Sequence, residues 1–527
     1  MKRSTWVIGA SGLAIAAVGT AAWLEPMATD PDGPKDCGAI LPPISQSHSH
    51  AANPAMPEPR WAQKGGSVND ASCLDRTPVA GVVAPRSDAE VAAALAYAKA
   101  TGLTVSPAGV RHSMGGQAFR RGGIMLDMRG MNRIELHPET STVAVGSGAT
   151  WHDIQNAIHP RFAVKAMQST DIFTVGGSIS VNAHGMDHRA GAVMDSIRSL
   201  KLMLADGKVV TASREENPDL FALVVGGYGL FGVILSAELE VVPNDIYASR
   251  RELISYRDFG KRFEQIADDP KIGLTYAHLS TAPRSLLSEA LVYTYHRVDD
   301  EAGLVRAPLA DAGSTKMRRL TVNLAKQGDL FQSLKWWSEK HLEHRFERCT
   351  VTRAQAMQDG EACLVSRNDP MHDSVPYLRN AMKDDTDILQ EYFIPRDRLV
   401  PFIDGLRAIV RREDANLLNA SIRAVGQEHN ILSYAPRPAF SVVLYFNQKT
   451  DSAGNARMAQ LTQDLVDLTH ANGGRFFLPY QLHYGPEQLA RSYPEIRGFF
   501  AAKRKWDPDG RFSNSWYERY ATAFGQG

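Results

Sequence analysis

The spacing of apolar positions divides the chain into three regimes. The first is an almost unbroken apolar run from Trp6 to Leu24, preceded by Lys2 and Arg3 and followed by an acidic, Pro-rich stretch from Glu25 to Asp32. Its length of about 19 residues reaches across a hydrocarbon core of ~30 Å at ~1.5 Å per residue, with Trp6 and Trp23 where interfacial aromatics belong, which fits an uncleaved membrane anchor. Small residues around Thr20, Ala21 and Ala22 fit a cleaved signal peptide instead, and the two readings stay open. Both put the positive charge inside and the rest of the chain outside the cytoplasm, in the periplasm or on the outer face of the membrane, anchored or released. The second regime, to about Ala71, is rich in Pro, Ser, His and Gly and has no period, so it predicts a tether in which His48 and His50 belong to a loop.

Order is expected from Val79 onward, where helical and strand periods alternate. Ser87 and Glu90 have capping-box spacing, Val91, Ala94, Leu95 and Ala98 share one helical face, and Gly102 supplies the stop. A strand at Leu103–Ser106 runs into the Gly-rich loop Pro107–Gly116. Short apolar runs at Ile124–Met128 and Thr142–Val145 predict strands, Thr150 to Ile158 a helix, and Thr174–Gly185 a second small-residue loop. A hairpin around Asp206 and Gly207, a helix from Pro218 through Val225 and a strand over Val233–Val242 complete an α+β pattern.

The two loops suggest chemistry. Backbone N–H groups surround a pyrophosphate only where side chains are absent, and Gly109, Gly115 and Gly116 with Gly176, Gly177 and Ser178 offer such a cradle. Two tight turns would explain the same glycines. Gly227, Gly229 and Gly232 match the dinucleotide fingerprint GxGxxG, yet a helix precedes them and a strand follows, the reverse of the order that fingerprint requires.

Composition narrows the field. Hydrophobic residues are 44% and charged residues 22%, with 58 Lys and Arg against 58 Asp and Glu, so the chain is ordinarily globular and has no global attraction for nucleic acid. The length calls for two interlocked domains plus a leader, and no internal repeat stands out. Cys37, Cys73, Cys349 and Cys363 lack zinc-ligand spacing, so no metal is expected. In an exported protein Cys37 would pair with Cys73 and Cys349 with Cys363; otherwise they are four free thiols.

Five segments in order, VVAPRSDAEV, SPAGVRHSMGGQAF, TVGGSISVNAHG, the LADG hairpin with NPDLFALVVGGYGLFGVI, and WDPDGRFSNSW, resemble the vanillyl-alcohol oxidase and p-cresol methylhydroxylase (PCMH-type) FAD-binding oxidoreductases. The likeness is closest to the branch of alditol oxidase, aldonolactone oxidase and decaprenylphosphoryl-ribose oxidase. It implies an α+β, two-subdomain FAD-binding domain with an inserted antiparallel-sheet substrate cap. The expected division is 1–29 signal peptide or anchor, 30–75 tether, 76–243 FAD-binding domain, 244–494 cap, and 495–527 returning to the FAD domain.

The resemblance also implies roles. FAD would lie against Gly109, Val110, Arg111, His112, Ser113, Gly115 and Gly116, then Gly176, Gly177, Ser178, Asn182, His184 and Gly185, with Gly229 and Val233 passing along the flavin. His112 stands where covalent members bond the flavin 8α-methyl; in other members the matching residue only packs against the ring or contacts phosphate. Arg423 matches a cap-strand arginine over the flavin, although Ser421 replaces the acidic residue of polyol oxidases and puts a polyol substrate in doubt. Tyr480 or His483 would accept the proton, strand alternation points Tyr445 and Asn447 the same way, and Tyr392 is a further candidate; core packing would account for these aromatics equally. The implied reaction is oxidation of a CH–OH group of a sugar, polyol or related alcohol by hydride transfer to FAD, with oxygen or a quinone-type acceptor. Alternatives are an aldonolactone oxidase, an epimerase-type dehydrogenase, or a non-catalytic flavin-binding protein.

Overall fold

The computed structural model describes residues 24–25, 27–28, 40–41, 57–299, 301, 303–310, 315–342, 349–353, 363–373, 375 and 384–525. Apart from Leu24, the leader lies outside the described residues, as do His48, His50 and Cys37. No described helix is long and apolar enough to cross a membrane.

A small sheet opens the fold. Gly81–Val83, Ile124–Asp127 and Val105–Ala108 run parallel, and parallel strands need a crossover, which the Asp88–Thr101 helix supplies. Its start is fixed by Ser87, whose hydroxyl accepts from the Glu90 amide, while Glu90 reaches back to the Arg86 amide at 2.6 Å. Trp61–Lys64 pairs antiparallel with Gly81–Val83. Ordered structure therefore begins before Val79, and residues 57–75 of the expected tether are built into this domain.

The second sheet is antiparallel, ordered Val209–Ser213, Ile197–Met203, Val233–Pro243, Thr142–Gly146, Ile134–His137, with Phe162–Val164 on the far end of the long central strand. The expected second loop is partly helical: Val175–Val181 forms two turns that begin at Thr174. Gly226–Gly232 lies after the Pro218–Val224 helix and before the Val233–Pro243 strand, in the order that argues against a dinucleotide fingerprint.

Beyond Pro243 the chain builds an eight-stranded antiparallel sheet from two similar halves. Each half runs strand, helix, strand, strand: Ile246–Ser255, Phe259–Asp268, Ile272–Leu279, Glu289–Arg297, and then Asp385–Pro395, Leu399–Arg412, Leu417–Val425, Ala439–Lys449. Ile272–Leu279 and Leu417–Val425, matching elements of the two halves, meet at the centre of the sheet, with His278 opposite Ser421. This internal two-fold arrangement of backbone elements was not evident in the sequence. One face of the sheet packs on helices through Phe263, Phe402, Phe440 and Leu465; the other faces the N-terminal domain. A half-buried disulfide-linked pair, Cys349 and Cys363, has Cα atoms 5.1 Å apart, and Cys73 is also disulfide-bonded.

The C-terminal segment closes the structure by returning to the first sheet. Val105 donates to Arg511 O at 2.7 Å, Ser106 Oγ donates to Ser513 O at 2.6 Å, and Asn514 Nδ2 donates to Tyr228 O at 2.9 Å. Asp507 shapes this clip, accepting from the Arg511 and Phe512 amides at 2.9 and 2.7 Å while pairing with the fully buried Lys503. Removing one partner of a buried pair strands the other charge. Asp507→Ala is expected to destabilise the protein by about 3–5 kcal/mol, read as a lowered unfolding midpoint; a midpoint unchanged from the parent would show that the clip is dispensable.

Candidate active site

The inner face of the cap sheet is a set of cross-strand rows. Glu391, Val443, Ser421 and His278 stand opposite one another on four adjacent strands; Leu389, Tyr445 and Asn419 form the next row, and Ser441 and Arg423 pair on the other side. Alternation sends all of these to one face. All but Ser441 line a cavity of about 1790 Å³ whose opposite wall is the Gly109–Met114 loop and the start of the Val175–Val181 helix. A pocket for one small ligand occupies roughly 300–1,000 Å³, so this space accommodates a large cofactor together with a substrate.

The N-terminal wall is held in sterically costly backbone. Arg111 and Tyr228 both adopt left-handed geometry, at φ 57° and 54°, which costs a non-glycine residue ~1 kcal/mol or more. Neighbours enforce it: Arg111 O accepts from the Ala71 amide at 3.0 Å, and the Tyr228 amide donates to Ser180 O at 2.9 Å. Gly109 serves close packing, since a Cβ there would sit 1.8 Å from Thr174 Oγ1. The loop and the helix are thereby pressed together at Thr174.

Several polar groups lining this wall have no protein partner among the described residues. His112 Nδ1, both amide atoms of Gln117, Ser147 Oγ and Ser169 Oγ are all buried and unpaired. Buried polar atoms are normally satisfied, so their concentration here fits a bound group rich in hydrogen-bonding atoms, such as FAD. Burial pushes the His112 imidazole down to about 4, leaving the ring neutral near pH 7, and its face meets Phe173 edge-on at 5.2 Å.

Not every residue expected at the cofactor reaches the cavity. Gly109, Val110, Arg111, His112, Ser113, Gly176, Gly177, Ser178, His184 and Gly229 line it; Gly115, Gly116, Asn182, Gly185 and Val233 do not. The Gly115 and Gly116 amides donate to Asp70 Oδ2 at 2.9 and 2.6 Å, so a buried side chain takes the place assigned to a phosphate. The Gly176 amide is likewise engaged by Ser147 O at 2.8 Å. Asn182 accepts from the Met194 amide at 2.9 Å and donates to Glu428, a support behind the wall. A Cβ at Gly185 would lie 1.9 Å from Met167 O, so this glycine serves backbone packing.

Among the expected catalytic residues, Arg423, Tyr480 and Tyr445 line the cavity and His483 does not. His483 instead has its imidazole lowered to about 4 by burial and by Arg519, with Nε2 buried and unpaired. Asn447 donates to Asp387, another lining residue, at 2.7 Å. Tyr392 points the other way, into the helix-covered core, where its hydroxyl donates to Gln390 at 2.7 Å.

Its neighbour Glu391, not singled out from the sequence, is the centre of the site. Glu391 Oε1 meets His184 Nε2 at 2.6 Å and the Ser441 hydroxyl at 2.5 Å, and Tyr480 stands 3.5 Å from Oε2. Burial alone would raise this carboxyl; His184, Ser441 and Arg423 outweigh it and hold Glu391 below its ordinary range. Burial lowers Arg423, opposed by Glu391, and its Nε is buried and unpaired. Burial, reinforced by Glu391, raises Tyr480 well above a normal phenol, so it stays neutral. Both faces of the Asp385–Pro395 strand are buried, so polarity gave no cue to which residue turns inward.

At the cavity edge His152 and His372 each approach Asp171 Oδ2, at 2.9 and 3.0 Å. Their rings stack at 4.6 Å and 18°, and the cluster forms a clasp between the N-terminal domain and residues 363–373.

Comparison with known proteins agrees with this architecture. Residues 79–213 match the FAD binding domain family. Decaprenylphosphoryl-beta-D-ribose oxidase of Mycolicibacterium smegmatis is 24% identical over 475 residues, covering 84% of this chain and 95% of that protein. Cytokinin dehydrogenase 5 of Oryza sativa subsp. japonica is 30% identical over 34% of this chain and 40% of its own length, and cytokinin dehydrogenase 2 of Arabidopsis thaliana is 32% identical over 30% and 32%. The chain thus spans well under half of those two relatives and nearly all of the first. Residues 79–213 are an FAD-binding domain, and the chain is an FAD-dependent oxidoreductase.

Proposed function

We propose that this oxidoreductase oxidises a CH–OH group, of a sugar, polyol or related alcohol. The observation that carries the reading is the convergence of Arg423, Glu391 and Tyr480 on the cavity that the His112 loop also lines. Bound FAD supplies the hydride acceptor; the protein must dispose of the hydroxyl proton. Arg423, a buried cation with a free Nε, holds the substrate oxygen and favours its negative form. Glu391, ionised and backed by His184, takes the proton directly or through the neutral Tyr480 hydroxyl, whose 3.5 Å spacing tightens when a substrate oxygen bridges the gap. Glu391 also brings to the cavity the acid that Ser421 lacks, from two strands away in the same row. One relative, matched over 84% of this chain and 95% of its own length, is named as an oxidase of a ribose derivative, which favours a sugar hydroxyl.

The electron acceptor is oxygen or a quinone-type carrier, separated by whether peroxide forms. Export is part of the proposal: the leader and the disulfide-bonded Cys73, Cys349 and Cys363 suit an oxidising compartment. We also assign His112 as the flavin attachment residue, because its neutral imidazole lines the cavity and its Nδ1 has no protein partner.

Three outcomes follow. After acid precipitation the yellow colour should stay with the protein pellet and move to the supernatant in His112→Ala; free colour in the parent rules out the bond. Among sugars, polyols and lactones, substrates that bleach the flavin anaerobically should bleach Arg423→Ala slower by about 10²–10³-fold with flavin content unchanged, and equal rates would remove Arg423 from the site. Glu391→Gln should slow bleaching by about 10²–10⁴-fold. Because Glu391 is held low, the parent's rate should fall only as pH drops below the ordinary carboxylate range, through the carboxyl's depressed pKa, and this limb should vanish in the variant.

A further inference from the structure

The Thr315–Ala325 and Asp329–His341 helices form one wall of the cavity, with Thr321, Val322, Lys335 and Glu339 facing in. Their outer side carries a group of exposed apolar side chains among polar ones. Leu330, Leu334 and Trp337 recur at i, i+4 and i+7 and are 68%, 51% and 51% exposed, while Met317 on the neighbouring helix is 64% exposed. Half of the exposed large hydrophobic side chains among the described residues sit on this helix pair. Single exposed apolar residues are ordinary, whereas such a concentration marks a contact surface.

The start of the chain indicates what it contacts. Asn323, buried on the first of these helices, donates its side-chain amide to Met27 O at 2.8 Å, and Met27 is itself buried. Lys326, immediately beyond that helix, forms a buried ion pair with Asp387 at 2.6 Å, so the element that grips Met27 is fixed to the cap sheet. The apolar run that begins at Trp6 ends at Leu24, and the three residues from there to Met27 extend at most about 10 Å. A leader embedded in a bilayer would therefore bring the lipid surface against this helix pair.

We propose that the outer face of these helices is a membrane-contact surface, with Met317, Leu330, Leu334 and Trp337 seated in the lipid interface beside the point where the leader enters. The inference rests on reading the leader as an uncleaved anchor. Trp337 suits the headgroup level, and the exposed Lys316 beside Met317 suits anionic lipid. Met317 also lines the cavity, so the cavity opens toward the membrane.

The full-length chain reconstituted into phosphatidylcholine–phosphatidylglycerol nanodiscs tests this. The described cysteines are all disulfide-bonded, so Leu334→Cys and Trp337→Cys each introduce a reactive thiol for a polarity-sensitive fluorophore, with Val209→Cys on the outermost strand of the N-terminal domain as reference. Labels at 334 and 337 should emit blue-shifted light and be quenched by nitroxide lipids, and the label at 209 should not. Chain retained in the discs with all three labels equally unquenched overturns the contact surface and leaves the anchor standing. Chain that does not stay with the discs overturns the anchor and the surface together.

Discussion

A carboxylate removed from water must be paired, or it neutralises. Glu391 is completely enclosed, and its partners come from different parts of the chain: His184 from the N-terminal domain, Ser441 and Arg423 from neighbouring cap strands, and Tyr480 from the segment that leads back toward the C-terminus. Satisfying that one charge fixes the seating of cap on domain. It also concentrates ionisable groups at the place where a substrate hydroxyl would meet the cofactor.

The opposite wall is organised by a comparable constraint. Asp70, buried and raised by that burial despite bonds from Ser72, Gly116 and Gly115, gathers the end of the His112 loop. With the Gly115 and Gly116 amides spent on Asp70, the loop's Val110–Ser113 portion is presented to the cavity. Arg111 and Tyr228 tolerate left-handed backbone because bonds to Ala71, Ser180 and Asn514 hold them. The cavity wall is thus held by the protein's own hydrogen bonds, and its unpaired atoms, His112 Nδ1 among them, are the ones a cofactor would satisfy.

Motifs with local physical causes were legible in the sequence. The Ser87 cap, the Gly102 stop, the Asp206–Gly207 hairpin and the reversed GxGxxG context depend on neighbours a few residues away. What depended on distant partners was not. Asp70 reads as part of a polar tether until Gly115 and Gly116 are brought to it. Glu391 and Tyr392 differ by one step of strand register, and with both faces of that strand buried the aromatic residue drew attention while its acidic neighbour turned inward. The cap's two-fold arrangement repeats backbone elements without an evident repeat of residues. Glycines mislead for a related reason: Gly109 and Gly185 are required by close packing against Thr174 and Met167, a need indistinguishable in sequence from that of a phosphate cradle.

His184 and Glu391 should act as one unit. The measurement is a double-mutant cycle in flavin-loaded protein: the anaerobic rate of flavin reduction by a hydroxylated substrate for the parent, His184→Asn, Glu391→Gln and the double variant. If His184 works only through Glu391, the double variant should be about as slow as Glu391→Gln alone. Losses that multiply independently would contradict the shared carboxylate as the centre of the site.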